Sequence, residues 1–431
     1  MEHLLDFLSL SDPNVRYVVI GSILLAASSA IVGTFTLLKK KALVGDAVAH
    51  SVLPGVCLAF LLSGVKNPLY LIIGAFATGW LSLVLIDYIT HKSKIKEDTA
   101  IGLILSVFFG IGILMLTVIQ KSGNAAQSGL DHFLFGQAAS LIGKDLIVFS
   151  SIAVILIAAI WLFFKEFALI AFDENFAHSI GFPVRALELV LTTLTVLAVV
   201  AGIQAIGVVL MAAMLITPAA AARFWTDKLK VMIWLAAGLG AFSGLVGAYI
   251  SYVAPAMPTG PWIVMVISII AVLSFFLAPR KGILFRFFTQ RKFQNQMLEE
   301  NILKLFYQLG ETEGSYYQSR SMAEIIARRP FQIARLKKGL KNLYKQGFLK
   351  TSAKGWAYTR AGKRKGQRIT KLHRLWELYL TEYLRIAPDH VHEDAETIEH
   401  IITPELERRL EEKLRFPTLD PHQSEIPYRK L

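Results

Sequence analysis

Residues 98–119 read DTAIGLILSVFFGIGILMLTVI, and Asp98 is the only charged residue in this run. A helix of about 20 apolar residues crosses the roughly 30 Å hydrocarbon core of a bilayer. Because water cannot satisfy backbone N–H and C=O groups at that depth, only a helix or a closed barrel can span it. The stretch therefore predicts a transmembrane helix and places the chain among membrane proteins.

Similar apolar runs recur on both sides of this stretch. The chain is 54% hydrophobic with a mean hydropathy of +0.50, which excludes an ordinary soluble protein. Residues 128–143 are too short to span and are predicted to form a re-entrant or interfacial turn. Nine runs of about 17–24 residues have spanning length, near 16–38, 47–64, 68–90, 98–119, 145–164, 185–204, 206–222, 231–253 and 260–278.

The charge is divided unevenly between the two parts of the chain. Residues 1–278 hold 15 Lys and Arg against 14 Asp and Glu, whereas residues 279–431 hold 30 against 18. We therefore predict an all-α polytopic membrane bundle followed by a basic soluble part. The predicted domain boundaries are a transmembrane domain over 1–278, a basic linker over 279–294 and a soluble part over 295–431.

The basic clusters between the spans predict the orientation. If nine spans alternate, these clusters fall on one side, and positive loops favour the cytosol. The sequence thus predicts a multi-pass plasma-membrane protein with its N-terminus outside and its C-terminal domain in the cytosol. The first 15 residues lack the basic start of a cleaved signal peptide, and the single cysteine, Cys57, excludes a disulfide framework. The basic clusters used for this orientation lie at residues 39–41, 91–96, 165 with 185, 223 with 228 and 230, and 280–281.

The second span contains ionisable residues, which are costly at membrane depth and usually functional. Residues 43–55 read LVGDAVAHSVLPG, and Asp46 and His50 are four residues apart. A helix places them on one face, one turn from each other. Pro54 has no N–H to donate to the carbonyl of His50, so this face offers a carboxylate, an imidazole and a carbonyl without its helical donor.

Two interpretations of this pair remain open from spacing alone. Asp46 and His50 bind a metal ion, or Asp46 caps the helix at the cytosolic edge while His50 bonds a neighbouring helix. Mixed oxygen and nitrogen ligands suit Mn, Fe or Zn better than copper.

Residues 43–55 resemble the characteristic motif of the ABC-3 permeases, which import manganese, zinc and iron. Three further segments agree in order: EDTAIG at 97–102, DHFLFG at 131–136 and FDENFAHSIG at 172–181. The resemblance covers residues 16–278 and favours Asp46 and His50 as metal ligands. It implies a permease homodimer that works with a separate ATPase and an extracytoplasmic metal-binding protein. In keeping with a separate motor, the chain has no G-x-x-x-x-G-K-[ST] sequence.

The same resemblance assigns a role to the cytosolic segment over residues 166–184. It is similar to the segment that docks on the ATPase, with Asp173, Glu174, Ala177 and Gly181 as the coupling residues. The alternative is an ordinary polar loop.

Beyond residue 294 the periodicity is that of soluble helices, predicted near 294–309, 321–328 and 331–346. The second and third fit a helix-turn-helix, and residues 348–359 read as a two-stranded wing. The third helix is basic, as phosphate contact on DNA requires. Anionic lipid or a protein partner could equally use this surface. The DNA-binding candidates are Arg335, Lys337, Lys338 and Lys341.

The last part of the chain carries imidazoles and carboxylates at helical spacing. His373 and Glu377 are four residues apart, and a second set at offsets 0, 4, 7 and 8 shares one helix face. Such a face could hold a divalent metal or be a solvated surface with salt bridges. The second set is His392, Glu396, Glu399 and His400.

This region resembles the diphtheria-toxin-repressor and manganese-repressor family over roughly residues 295–428, including VHEDAETIEH at 391–400 and DPHQSEIP at 420–427. The resemblance implies a winged-helix domain over 295–365 and a metal-binding and dimerisation domain over 366–431. It also implies that all six side chains are ligands, and Glu396 favours Mn or Fe(II). The sequence departs from the family in its first helix, where the usual ligand positions fall on Asn301 and Lys304. A protonated lysine cannot bind a metal, so one site is expected to be incomplete.

The leading functional hypothesis is therefore a permease subunit, not itself an enzyme, for Mn, Zn or Fe, with a metal-responsive cytosolic domain. That domain could gate transport, repress genes while tethered, or act after release by proteolysis. The alternatives are a permease for a metal chelate of the siderophore or corrinoid type, and a membrane-anchored transcription regulator.

Overall fold

The structure, a computed structural model, describes residues 2–64, 67–121, 143–254, 257–386, 400 and 402–428. The chain divides into two compact units, Met1–Arg286 and Phe287–Leu431. Each unit has its own apolar core, and each is described by itself.

The first unit consists of helices. Those among its described residues are α1 Glu2–Ser9, α2 Pro13–Leu38, α3 Val44–Ser51, α4 Leu53–Ser63, α5 Pro68–Lys92, α6 Glu97–Lys121, α7 Gly143–Leu162, α8 Phe164–Phe172, α9 Glu174–Ser179, α10 Val184–Ile206, α11 Val208–Trp225, α12 Leu229–Val253 and α13 Thr259–Leu277, with the start of α14 at Ile283.

Eight helical segments among the described residues are long and apolar enough to cross a membrane, counting α3 and α4 as one. The remaining predicted run, 206–222, falls on α11, whose described apolar stretch is Leu210–Trp225. Gly207 separates α10 from α11 with a φ of 95°, a conformation that glycine adopts without steric cost. The predicted polytopic helical bundle is confirmed. The predicted turn over 128–143 lies almost entirely outside the described residues.

Small residues let α2 pack closely against α12. A Cβ atom at Gly240 would lie 2.7 Å from the carbonyl oxygen of Ala26, and one at Gly244 would lie 2.8 Å from that of Ser22. Helices in lipid associate by van der Waals packing, which is strongest where small residues allow such approach. The glycines of 240–244 therefore hold α2 inside the bundle.

A break between α3 and α4 shapes the second span. The two helices meet at Val52, and Pro54 occupies the first turn of α4, where a missing N–H costs least. Helix α3 packs against α6 and α11, and a Cβ atom at Gly45 would lie 2.9 Å from Leu215 of α11. The segment with Asp46 and His50 is thus fixed by its neighbours on both sides.

The backbones of α4 and α5 touch at a pair of glycines. A Cβ atom at Gly55 would lie 2.0 Å from the carbonyl oxygen of Gly74, and one at Gly74 would lie 2.3 Å from that of Gly55. Any side chain at either position must push the two helices apart, because backbone atoms cannot rotate away. This contact explains why glycine follows Pro54 in the motif at 43–55.

We therefore expect Gly55→Ala to destabilise the membrane unit by about 1–3 kcal/mol, the usual cost of overpacking a well-packed core. Thermal unfolding of the purified full chain in detergent measures the change. Gly102→Ala is the matched control, because a Cβ atom there meets nothing within 4 Å. Equal melting temperatures for Gly55→Ala and the wild type would contradict the tight contact.

The second unit combines helices with one small sheet. Its described elements are the rest of α14 Ile283–Thr312, α15 Met322–Arg328, α16 Ile333–Lys345, β1 Leu349–Ser352, β2 Gly355–Tyr358, α17 Arg360–Leu384 and α18 Pro404–Lys413. The predicted first helix, near 294–309, is longer in the structure. The added segment, ILFRFFTQRKF at 283–293, has neither proline nor glycine to end a helix.

A winged helix-turn-helix lies within this unit, as predicted. Ser321 and Glu324 form a capping box that starts α15, and α16 follows after a four-residue turn over 329–332. Strands β1 and β2 pair antiparallel, with Leu349 opposite Tyr358. The core between α14, α16 and the sheet includes Leu303, Phe306, Leu340, Leu349 and Tyr358.

Candidate metal sites

Asp46 and His50 lie together on α3, as the spacing predicts. The Nε2 atom of His50 is 3.5 Å from Oδ1 of Asp46, and the two side chains are 22% and 42% exposed for His50 and Asp46 respectively. The ring of His50 also packs edge-on against Phe109 of α6 at a centroid distance of 5.2 Å. The pair thus has its geometry set by α3 and its position set by α6.

The other ring nitrogen of His50 marks where a ligand could bind. Nδ1 is buried and has no hydrogen-bond partner among the described residues. A buried nitrogen of this kind is normally satisfied, so Nδ1 is an unused ligand atom on the imidazole whose Nε2 faces the Asp46 carboxylate. The observation fits a metal-binding role better than a structural bond from His50 to a neighbouring helix.

The donor set around this pair is small. No group of three or more His, Cys, Asp or Glu side chains among the described residues is placed to hold a metal ion. Two protein ligands leave most of the coordination shell of a divalent ion to water or carbonyl oxygens. An incomplete shell suits cargo, because an ion in transit must bind well enough to enter and weakly enough to leave.

Two methionines that could form a gate, Met211 and Met214, are fully buried in α11. The Sδ atom of Met211 lies 2.2 Å from where a Cβ atom of Gly202 would be, so it fills the groove that this glycine leaves open. Their positions are those of core residues.

The predicted coupling segment forms two short helices, α8 and α9. Asp173 ends α8 and starts α9, where its Oδ1 accepts a hydrogen bond of 2.8 Å from the N–H of Phe176. Ala177 is fully buried, and Gly181 ends the turn with a φ of 86°. Three of the predicted coupling residues therefore shape this segment, while Glu174 makes an ion pair.

Lys39 joins this segment to the bundle. Its ammonium lies 3.4 Å from Oε2 of Glu174 and also pairs with Glu188 of α10. Lys39 directly follows α2, so one side chain connects three elements. Apolar side chains on the outer surface of the segment remain exposed: Phe172, Phe176, Ile180 and Phe182.

In the second unit, His373 and Glu377 are buried together on α17. Nε2 of His373 is 3.1 Å from Oε1 of Glu377. The Nζ atom of Lys304, from α14, lies 3.4 Å from Nδ1 of the same imidazole. The structure thus places the lysine that departs from the family pattern directly beside a predicted ligand.

A second imidazole, that of His400, faces a carboxylate that sequence reasoning missed. Nδ1 of His400 lies 2.6 Å from Oε2 of Glu300 on α14. Burial would raise the pKa of Glu300, but hydrogen bonds from His400 and Gln296 outweigh it, so the pKa is lowered and the carboxylate stays charged. Glu300 directly precedes Asn301, and its position beside that expected ligand position was the available signal. The other predicted ligands, His392, Glu396 and Glu399, lie outside the described residues.

The basic helix α16 has the amphipathic form predicted for it. Leu336, Leu340 and Leu343 are buried against the core. The four DNA-binding candidates, Arg335, Lys337, Lys338 and Lys341, are all exposed on the opposite side.

Comparisons with known proteins divide the chain in the same way. The ABC 3 transport family matches residues 11–278, and the family described as iron dependent repressor, metal binding and dimerisation domain matches residues 359–428.

Individual relatives agree. The chain is 40% identical to a manganese transport system membrane protein of Bacillus subtilis, over 88% of this chain and 87% of that protein. It is 42% identical to a zinc transport system membrane protein of Treponema pallidum, over 65% of this chain and 95% of that protein. A solved structure, PsaBC from Streptococcus pneumoniae in complex with Fab, matches with a TM-score of 0.58 and 34% identity, over 64% of this chain and 97% of that one.

Proposed function

This chain belongs to the ABC 3 transport family, and we propose that it is the permease through which an importer moves Mn²⁺, Zn²⁺ or Fe²⁺. In this proposal Asp46 and His50 lie on the path of the ion. The observation that carries the proposal is the buried Nδ1 of His50, which has no partner among the described residues. It belongs to an imidazole whose Nε2 faces the Asp46 carboxylate within the membrane bundle. Relatives named for manganese and zinc transport support this class of cargo.

A bare ion is a better cargo for this site than a metal chelate. Asp46 and His50 provide an anionic oxygen and an imidazole nitrogen, the ligands that Mn, Zn and Fe(II) take directly. A chelate already fills the coordination shell of its metal and needs a wide apolar pocket instead.

The energy for import comes from a separate ATPase subunit. The exposed apolar side chains of this segment, which include Phe176 and Ile180, suit a protein partner. Asp173, Glu174, Ala177 and Gly181 shape and anchor this surface, which makes them coupling residues. An extracytoplasmic metal-binding protein delivers the ion, and two copies of the permease form the pathway.

The basic loops support the orientation that places α8, α9 and the second unit in the cytosol, with the N-terminus outside. In that compartment the repressor-like unit responds to divalent metal. Glu300 and His400 would contribute a carboxylate and an imidazole to its metal site, a donor set that fits Mn or Fe(II).

Complementation tests the transport function. Expressed with its ATPase and its extracytoplasmic binding protein in a bacterium that lacks manganese and zinc importers, the permease should restore growth in chelator-treated medium. Restoration without the ATPase gene, or none with all three genes present, would count against the proposal.

The second unit also carries a surface suited to DNA. The exposed basic side chains of α16 lie on the helix that follows the turn, and the wing lies beside it. Helix-turn-helix proteins place this second helix in the major groove. DNA binding by the membrane-anchored chain is therefore a second activity that the described residues favour.

We expect Lys337→Ala and Lys338→Ala each to weaken binding of the full chain to a short fluorescent DNA duplex, whatever its sequence. Each loss should lower the slope of log affinity against log salt by about 1, because one phosphate contact disappears. Arg408→Ala, an exposed arginine on α18, is the control and should bind as the wild type does. If both lysine variants keep the wild-type affinity and slope, α16 is not the DNA-binding helix.

A further inference from the structure

We propose that the ammonium group of Lys304 takes the place of a metal ion beside His373 and Glu377, so that this position of the repressor-like unit stays filled by a cation without metal. The domain family matched by residues 359–428 is described as metal binding. The residues at this position do not fit a metal ion, and the disagreement has a specific chemical cause.

The three side chains at this position are buried. Lys304 is 1% exposed, His373 is 3% exposed and Glu377 is 2% exposed. A long charged side chain almost never becomes this buried unless it is paired. Lys304 could extend to the surface from α14, but its Nζ lies 3.4 Å from Nδ1 of His373 instead.

The imidazole of His373 has a partner at each ring nitrogen. A lysine ammonium can only donate, so Nδ1 of His373 must accept with its lone pair. The proton of a neutral imidazole then lies on Nε2, which is 3.1 Å from Oε1 of Glu377 and donates to it.

The lone pairs of the His373 imidazole decide whether it can bind a metal ion. A histidine binds a metal through a ring nitrogen that has a free lone pair. In this arrangement the Nδ1 lone pair accepts from Lys304, and Nε2 carries the proton. A divalent ion at this position would also lie beside the fixed positive charge of the ammonium, which repels it. The site is therefore closed to metal by both lone-pair use and charge.

Lys304 supplies what a metal ion would supply here: a positive charge that ties α14 to α17 through His373 and Glu377. At His400, by contrast, the facing side chain from α14 is the carboxylate of Glu300. Any response of the unit to metal is thus assigned to the site that contains His400 and Glu300. The contact of Lys304 with His373 is a permanent structural link, and its formation does not depend on the metal concentration.

Metal counting on the purified full chain tests the proposal, with Mn²⁺ as the probe, equilibrium dialysis as the separation and elemental analysis as the readout. We expect wild type and His373→Gln to bind equal amounts of Mn²⁺ per chain. Glutamine keeps an acceptor for Lys304 and a donor for Glu377, so it is the conservative change. A loss of about one Mn²⁺ per chain in His373→Gln would overturn the proposal.

The reverse substitution tests the role of the lysine itself. Lys304→Glu should bind about one Mn²⁺ per chain more than the wild type, and adding His373→Gln to it should remove this extra ion. Mn²⁺ should also raise the melting temperature of Lys304→Glu by more than it raises that of the wild type. No extra ion and no larger shift would mean that Lys304 is not what excludes the metal. None of these variants lies in the membrane unit, so the results are independent of transport.

Discussion

Asp46→Ala and His50→Ala should each lower the initial rate of metal uptake at least about tenfold. Loss of even a second-shell partner of a metal ligand typically costs 10–100-fold in affinity or activity, and these residues are proposed to touch the ion directly. Asp46→Asn and His50→Gln should lose uptake as well, because they keep approximate size and remove the anionic oxygen or the imidazole nitrogen. Uptake of radioactive Mn²⁺ by cells that express the permease with its partners is the measurement.

The chain contains a matched control for this prediction. Asp87 and His91 at the end of α5 have the same residue types at the same spacing, with Nε2 of His91 3.3 Å from Oδ1 of Asp87. Their side chains are 64% and 74% exposed. We expect Asp87→Ala and His91→Ala to leave uptake unchanged. Full uptake by both Asp46 and His50 variants would show that the ion takes another path, and equal losses in both pairs would show a non-specific effect.

Phe176→Ala and Ile180→Ala should separate the permease from its ATPase. Truncation of a central apolar residue in a protein interface can cost about 2 kcal/mol or more, which is a loss of roughly 30-fold in affinity. The double variant should no longer copurify with the ATPase, and ATP-driven uptake should fall with it. Both side chains are about half exposed, so their removal leaves no cavity in the core.

Asn175→Ala is the control for this pair, because Asn175 is an exposed polar residue on the same helix. It should keep both copurification and uptake. A double variant that still holds the ATPase at wild-type strength would exclude this surface as the docking site. A permease that assembles normally but no longer transports would instead indicate that the surface transmits the ATPase motion without providing the affinity.

Hydrophobic patterning predicts most of this fold because membrane helices must satisfy their own backbone. The break between α10 and α11 is not predicted by this patterning, since it depends on the φ of 95° at Gly207. Glycine permits that conformation but does not require it. Likewise, no apolar run predicts that Gly55 and Gly74 will touch, since the contact joins two helices whose facing surfaces are set by the whole bundle.

The candidate sites, too, are predicted only in part by the amino-acid sequence. Helical spacing alone selects Asp87 and His91 as readily as Asp46 and His50, and burial against α6 and α11 separates the two pairs. The resemblance of residues 43–55 to a permease motif makes the same distinction from the amino-acid sequence. For the second unit, sequence comparison located Lys304 as a departure, but its contact with His373 requires the packing of α14 on α17. Glu300 was missed because it lies one residue away from the expected position.

The most direct test of the transport proposal is ATP-dependent uptake into proteoliposomes that contain the permease, its ATPase and its extracytoplasmic binding protein. Radioactive Mn²⁺, Zn²⁺ and Fe²⁺ are supplied singly as free ions, and a metal–siderophore complex is supplied in parallel. We expect at least one free ion to accumulate with ATP, the Asp46→Ala permease to accumulate none of it, and the chelate to stay outside. Accumulation of the chelate with exclusion of all three free ions would contradict the assignment of this permease to metal-ion import.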